Sequence, residues 1–353
     1  MRLLKSKEVV GVDVGTSAVK IVELKETSKG FQLENFAVGA IPPQAIVDGA
    51  IMDAGAIVDT LMGLIREYKV KRKQACMGLS GHSVIVKKIS LPAMSEDELE
   101  ESIHWEAEQY IPFDIDDVNL DFQILDTAEP VEEGKMDVLL VAVKREKIDE
   151  YTSVVMQAGM TPVIVDLDAF ALQNAYEINY EVVPDKNIAL VNVGAGIMNI
   201  NVLRNGMSTF TRDISIGGNQ YTEAIQKELH VSVEDAEKLK TGEIIPEVDA
   251  EAVRGIMGSV NENLSVEIQR SFDFFRATST DQDIDTIILS GGCALIGGLD
   301  EFLNSRLGIA IEICNPFQSI IVNEKKFDPQ YIARHAPAAA VAIGLALRKA
   351  GDR

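Results

Sequence analysis

A β-rich unit occurs twice in this chain, once within the first forty residues and again from residue 188. Val9-Val10-Gly11-Val12-Asp13-Val14 leads into the turn Gly15-Thr16-Ser17; residues 19–24 follow, and a turn at Lys29-Gly30 opens a third strand at Phe31. In the second copy, Ile188-Ala189-Leu190-Val191-Asn192-Val193 leads into Gly194-Ala195-Gly196. Residues 198–203 follow, then Asn205-Gly206, a dipeptide suited to the left-handed backbone of a tight hairpin, and a third strand over 209–214. Helical spacing comes after each triplet of strands. One supersecondary unit used twice in 353 residues, a length that exceeds what one core usually fills, restricts the fold to a duplicated, two-lobed α/β architecture.

The paired turns have a chemical use. Gly15 and Gly194 tolerate positive φ and put no side chain over the bend, so successive backbone N–H groups can converge on phosphate oxygens. Thr16 and Ser17 add hydroxyl donors, Lys20 adds a cation, and Asp13 stands where a carboxylate would hold hydrated Mg2+ against those phosphates. Ala195 and Gly196 keep the second turn equally bare. A third glycine cluster, Ser290-Gly291-Gly292, lies between an apolar run at 287–289 and helical spacing over 299–307. Its glycines either leave backbone bare for a flat base or ribose, or ease a crowded strand-to-helix turn. Neither a GxxxxGK[ST] loop nor a GxGxxG is present, and the absence of HExxH and GxSxG argues against zinc-peptidase and serine-hydrolase chemistry.

Charge divides the chain further. The net charge is −22, and residues 95–137 hold 16 Asp or Glu against one basic residue, Lys135. Such a surface repels nucleic acid and anionic lipid. The acidic stretch still reads as folded. Ser95 and Glu98 have the spacing of a capping box, Leu99, Ile103, Ala107 and Tyr110 recur at helical intervals, and Pro112 ends the run. Val118, Leu120, Phe122 and Ile124 alternate as a strand; residues 136–143 read as a second strand and 144–159 as a helix ending on Gly159. The result is a small α+β module inserted into the first half, with an acidic face that serves either solubility or docking. The apolar runs are too short to span a bilayer, and three cysteines without a CxxC fit a reduced, cytoplasmic chain.

With these elements in order, the sequence resembles the actin-like ATPase superfamily, which includes actin, Hsp70, sugar kinases and FtsA. Gly11 to Ser17 with Lys20 is similar to its first phosphate loop, Asn192 to Gly196 to its second, and Ser290-Gly291-Gly292 to its adenosine motif. Residues 166–176 and 336–347 fall where the superfamily has its two interlobe helices. Glu237 and Lys240 are similar to the pair that flanks adenosine. The resemblance implies a duplicated RNase H-like fold: residues 1–85 form the first-lobe core, completed by 164–186 and 336–353, residues 86–163 an FtsA-type inserted subdomain, and residues 187–335 the second lobe. Within the superfamily, the text from Leu91-Pro92 through Tyr110-Ile111-Pro112-Phe113 to Phe122 resembles the PilM family of type IV pilus assembly. That implies ATP and Mg2+ in the interlobe cleft and a bound N-terminal peptide of PilN. It also implies links through PilN to PilO and to the pilus motors. Tyr110, Ile111, Pro112 and Phe113 are the candidate peptide contacts. FtsA proteins end in an amphipathic membrane helix, whereas this chain stops at Arg348-Lys-Ala-Gly-Asp-Arg353, so attachment to the inner membrane is expected through a partner.

One departure bears on chemistry. Many members begin the second phosphate loop with Asp, and here that position is Asn192, with Met198 and Asn199 where a Thr often follows. One carboxylate fewer points to hydrolysis that is slow at most. Asp166 and Asp168 are the nearest replacements, either as helix caps or as catalytic groups. The competing functions are an FtsA-like filament-forming division protein and a small-molecule kinase of the same superfamily.

Overall fold

The computed structural model describes residues 8–125, 134–278 and 283–352. Strands β1 (Val10–Val14), β2 (Ala18–Thr27) and β3 (Gly30–Ala40) pair antiparallel in chain order. Every residue of β1 is buried, Asp13 included, as expected of a central strand covered on both faces. A short hairpin, β4 (Ile46–Val47) and β5 (Ala50–Ile51), turns at Asp48 and Gly49 with φ of 49° and 79°. Helix α1 (Ala54–Glu67) starts on Asp53, whose carboxylate accepts the Ala56 N–H at 3.0 Å, and lays Ile57, Leu61 and Leu64 on the sheet. Strand β6 (Gln74–Leu79) then returns parallel to β1.

The chain leaves this sheet through β7 (Val84–Pro92), helix α2 (Glu96–Glu108), β8 (Val118–Leu125) and β9 (Lys135–Lys144). These strands form a separate antiparallel sheet in the order β7-β9-β8, covered by Leu99, Ile103 and Ala107 of α2. The capping box closes: Ser95 N–H donates to Glu98 Oε2 at 2.8 Å and Glu98 N–H to Ser95 Oγ at 3.3 Å. Helix α3 (Arg145–Gln157) and strand β10 (Thr161–Leu167) go back to the first lobe. Tyr151, Val154 and Val155 enter its core, and β10 pairs with β6 to complete the order β10-β6-β1-β2-β3. The separate sheet and its helix span residues 84–144, against the 86–163 read from the sequence, and its base, Val84, Val86, Val141 and Val143, packs on the first-lobe core. Residues 1–7 of the expected first lobe and 126–133 of the expected insert lie outside the described residues.

Helix α4 (Asp168–Asn179) leads to the second repeat, β11 (Asn187–Val193), β12 (Met198–Arg204) and β13 (Met207–Ile214). Helices α5 (Asn219–Leu229), α6 (Val233–Lys240) and α7 (Ala250–Thr278) follow, then β14 (Thr286–Ser290), α8 (Leu299–Leu307) and β15 (Ala310–Ile313). The sheet order β13-β12-β11-β14-β15 matches the first sheet strand for strand. The duplication extends to an irregularity. Register slips by one residue between Glu23 and Leu24 of β2 and between Val202 and Leu203 of β12. These are equivalent positions, since Val10 pairs with Glu23 as Ala189 pairs with Val202.

The return to the first lobe begins near Phe317, earlier than the boundary at 335. Phe317, Ile320 and Phe327 pack on Leu33 and Phe36, and Ile321 N–H donates to Phe31 O at 2.8 Å. After α9 (Pro329–His335), the seven-residue helix α10 (Ala340–Ala346) is buried all round, as its uniformly apolar sequence requires. It lies against β1 and α4, with Gly344 facing the Ala171 backbone and Gly11 facing Ala342 O so closely that a Cβ at either glycine would collide. α4 and α10 are the two helices that join the lobes. The first begins at Asp168, not Asp166, because residues 161–167 extend as β10.

Candidate functional site

A cavity of about 650 Å3 separates the lobes, and both glycine turns line it. The turns are built alike: Gly15 N–H donates to Ala18 O at 3.1 Å, and Gly194 N–H to Ile197 O at 3.0 Å. Neither Gly15 nor Gly194 has positive φ. The constraint is space, because a Cβ would lie 3.2 Å from Ala18 O in the first turn and 3.0 Å from Ile197 O in the second. The turns also face each other, for a Cβ on Gly196 would fall 2.8 Å from Thr16 Oγ1. Thr16, Ser17 and Ala195 line the cavity; Gly196 stands behind that wall.

On the first lobe, Asp13 and Lys20 are directly opposed across β1 and β2, with Nζ 2.9 Å from Oδ2. Asp168, at the start of α4, is half-buried with its carboxyl turned into the protein beside Gly78, whose missing side chain leaves the room. Burial first, then the charge of Asp13, pushes that carboxyl up to about 7. Asp166 is not part of the cavity. It is buried near Cys76 and bonded to Arg348 Nη1 at 2.6 Å, a structural ion pair that removes it as a catalytic candidate. At the cavity wall formed by Gly49 and Tyr151, the buried Lys147 donates its Nζ to Gly49 O, as does the Tyr151 hydroxyl at 3.0 Å. Burial lowers the Lys147 amine to about 8. Lys147 and Tyr151 carried no motif that sequence reading could single out.

The second lobe supplies the remaining wall. Gly292 opens onto free space, whereas Gly291, at φ 86°, is packed on the Val193 backbone and is a glycine for steric reasons. Lys240 Nζ lies 2.6 Å from Glu237 and donates to Thr222 Oγ1 at 3.1 Å, holding that pair together at the cavity edge. Asn192 is linked sideways: its Nδ2 donates to Asn199 Oδ1 at 2.9 Å, and Asn199 Nδ2 donates to Asp213 Oδ1 at 2.8 Å. Asp213 also accepts Gly81 N–H of the first lobe at 2.6 Å, and Ser215 Oγ lies 3.0 Å from His82 Nε2 beside it. Burial raises the Asp213 carboxyl. The sequence reading passed over Asp213.

This donor set suits a triphosphate with a hydrated cation: two bare backbone turns, the Lys20 amine and the Asp13 carboxylate. No group of three or more acidic, Cys or His side chains that could hold a metal directly occurs among the described residues, so a cation here would be held through water. In the inserted module, Ile111 is buried in the core, Tyr110 and Phe113 are half-buried, and Pro112 is exposed. Lys144 Nζ lies 4.4 Å from the Phe113 ring centroid, and Lys87 Nζ donates to Tyr110 O at 2.9 Å. Ile111 thus packs its own module, leaving Tyr110, Pro112 and Phe113 with accessible surface.

Comparison with known proteins places this architecture. The sequence profile of the family described as "Type IV pilus assembly protein PilM" matches residues 11–350. The solved "PilM-PilN type IV pilus biogenesis complex" contains a chain 29% identical, superposing with TM-score 0.86 over 97% of this chain and 98% of that one. MreB5 of Spiroplasma citri bound to ADP shares the fold at TM-score 0.52 and 12% identity, over 96% of this chain and 94% of that one. Cell division protein FtsA of Bacillus subtilis (strain 168) is 23% identical over 65% of this chain, and the match spans 57% of FtsA. The two lobes are an actin-like ATPase fold.

Proposed function

Because the chain belongs to the family of type IV pilus assembly protein PilM, we propose that it is the ATP-binding scaffold of the pilus assembly platform at the inner membrane. In this reading the interlobe cavity takes ATP with Mg2+, and the inserted module with the first lobe takes the N-terminal cytoplasmic peptide of PilN. PilN carries the link to PilO and, beyond it, to the pilus motors. No helix among the described residues is long and apolar enough to cross a membrane; in this reading recruitment runs through that peptide. The observation that carries the proposal is the single cavity walled by both equivalent turns, the Glu237–Lys240 pair and Gly292.

Each residue has a task that follows from its chemistry. The turn N–H groups other than those of Gly15 and Gly194, together with the Thr16 and Ser17 hydroxyls, would bind phosphate oxygens, and Lys20 would offset their charge once it exchanges Asp13 for phosphate. Asp13 would hold a water of the cation's shell through its carboxylate. Mg2+, when bound, neutralises the phosphates. Asp168, with its carboxyl near neutrality, is placed to hold a proton, but Asn192 contributes no charge to the phosphate side. Turnover is accordingly slow at most. A ligand that touches both lobes favours the closed arrangement by its preference for it, and the lobes in turn shape the groove beside the insert. Isothermal calorimetry of the wild-type chain with Mg-ATP tests the core of this reading. One saturable site per chain is expected, and no binding up to millimolar ATP overturns it.

A further inference from the structure

Four polar side chains lie in one row across the second sheet. Ser290, Asn192, Asn199 and Asp213 are directly opposed on β14, β11, β12 and β13. The hydrogen bonds along the row all point one way. Asp213 can only accept when ionised, so Asn199 must turn its NH2 toward it and its oxygen toward Asn192. Asn192 must then spend its NH2 on Asn199 at 2.9 Å, which leaves its oxygen as the acceptor end of the amide on a residue that lines the cavity. Ser290 Oγ donates to that oxygen at 3.4 Å, a long bond that takes one lone pair and leaves the other. The second carboxylate oxygen of Asp213 is fixed independently by Gly81 N–H at 2.6 Å.

Resting on the nucleotide reading above, we propose that Asp213 is a positioning residue: it sets the polarity of the amide row so that Asn192 presents an oxygen to the water shell of a divalent cation. Water bound to a cation is a hydrogen-bond donor and needs an acceptor. An Asn fixed with its oxygen inward supplies one without a charge. The equivalent pair in the first repeat is Asp13 and Lys20, where a carboxylate faces the cavity directly. The second repeat thus keeps its carboxylate two strands away and transmits its effect through two amides.

The consequence of Asp213→Asn follows from the same bookkeeping. Gly81 N–H still requires an acceptor, so the new amide must turn its oxygen to Gly81 and its NH2 to Asn199. Asn199 then turns over, and Asn192 with it, and an NH2 faces the cation. The readout is the ratio of ATP affinity with Mg2+ to that in EDTA, measured by calorimetry. Asp213→Asn lowers this ratio about tenfold, the scale of one lost hydrogen bond to a charged centre, while affinity in EDTA holds or rises. Asn199→Ala cuts the row between Asp213 and Asn192, so the Asn192 amide loses its fixed orientation and the ratio falls as well. The exchange Asn192→Asp with Asp213→Asn moves the carboxylate to the cavity and restores the ratio to the wild-type value or above. A ratio within about twofold of wild type in both single variants overturns the proposal, since it predicts a tenfold loss. So does a loss that the exchange leaves unrepaired, because a merely structural Asp213 would behave that way. A wild-type chain that binds no ATP removes the proposal together with the nucleotide reading; a wild type that binds it with Mg2+ dependence isolates the role of Asp213.

Discussion

Two carboxylates of the cavity have opposite surroundings, and each makes a distinct prediction. Asp13 is paired with Lys20 at 2.9 Å, so it stands ready to orient a cation when the amine moves to phosphate. Asp13→Ala is expected to weaken Mg-ATP binding about tenfold or more, by calorimetry, because a charged hydrogen-bond acceptor is worth roughly 1.5–3 kcal/mol. Asp168 has its carboxyl pushed up to about 7, against about 3.9 in an unfolded chain. Between those values the folded state holds a proton that the unfolded state has released, so the wild-type chain loses stability as pH rises through this window. Asp168→Asn removes the loss. In urea unfolding without nucleotide, the variant is expected to be more stable than wild type at pH 8, by about 1 kcal/mol or more, and close to it near pH 4. Asp13 and the two turns were legible in the sequence as local motifs, and the Glu237–Lys240 pair through its resemblance to the superfamily's adenosine-flanking pair. Asp213 was not. Its position opposite Asn199 depends on the slip between Val202 and Leu203; an unbroken ladder from the Asn205-Gly206 turn would have placed Arg212 there.

Elements were readable where local patterning and tertiary demand agree. The capping box at Ser95 and the alternation through β8 were visible as spacing; the box forms, and the alternation holds from Val118 to Phe122 and lapses at Ile124, which is exposed. Ser95→Ala is expected to cost about 1 kcal/mol in chemical unfolding, the usual penalty for a lost cap, with nucleotide binding unchanged. Strand β10 was missed because Asp166 and Asp168 suggested a helix start, while the strand's identity comes from β6 beside it. The domain boundaries moved for the same reason: α3 and residues 317–335 belong to cores assembled from distant sequence. Helix α10 makes the sharpest prediction at this scale. Gly344 abuts the Ala171 backbone, so Gly344→Val forces α4 and α10 apart. We expect a loss of about 1–3 kcal/mol or more in urea unfolding, and weakened ATP binding through the altered lobe angle.

At the level of the whole molecule, duplication explains why one ligand can report to both halves. The sheets repeat in strand order, in turn geometry and in the position of a register slip, which brings two equivalent turns face to face across one cavity. The loop from Gly81 to His82 touches Asp213 and Ser215 of the second lobe and continues directly into β7, the strand that opens the inserted module. Cleft closure therefore has a covalent route to the proposed peptide groove. The most direct measurement is the affinity of the wild-type chain for a synthetic PilN N-terminal peptide, by fluorescence anisotropy, with and without saturating Mg-ATP. A shift of about fivefold or more is expected, within the range of ordinary coupling energies, with an equal effect of the peptide on ATP affinity. Equal peptide affinities in both conditions would contradict that coupling.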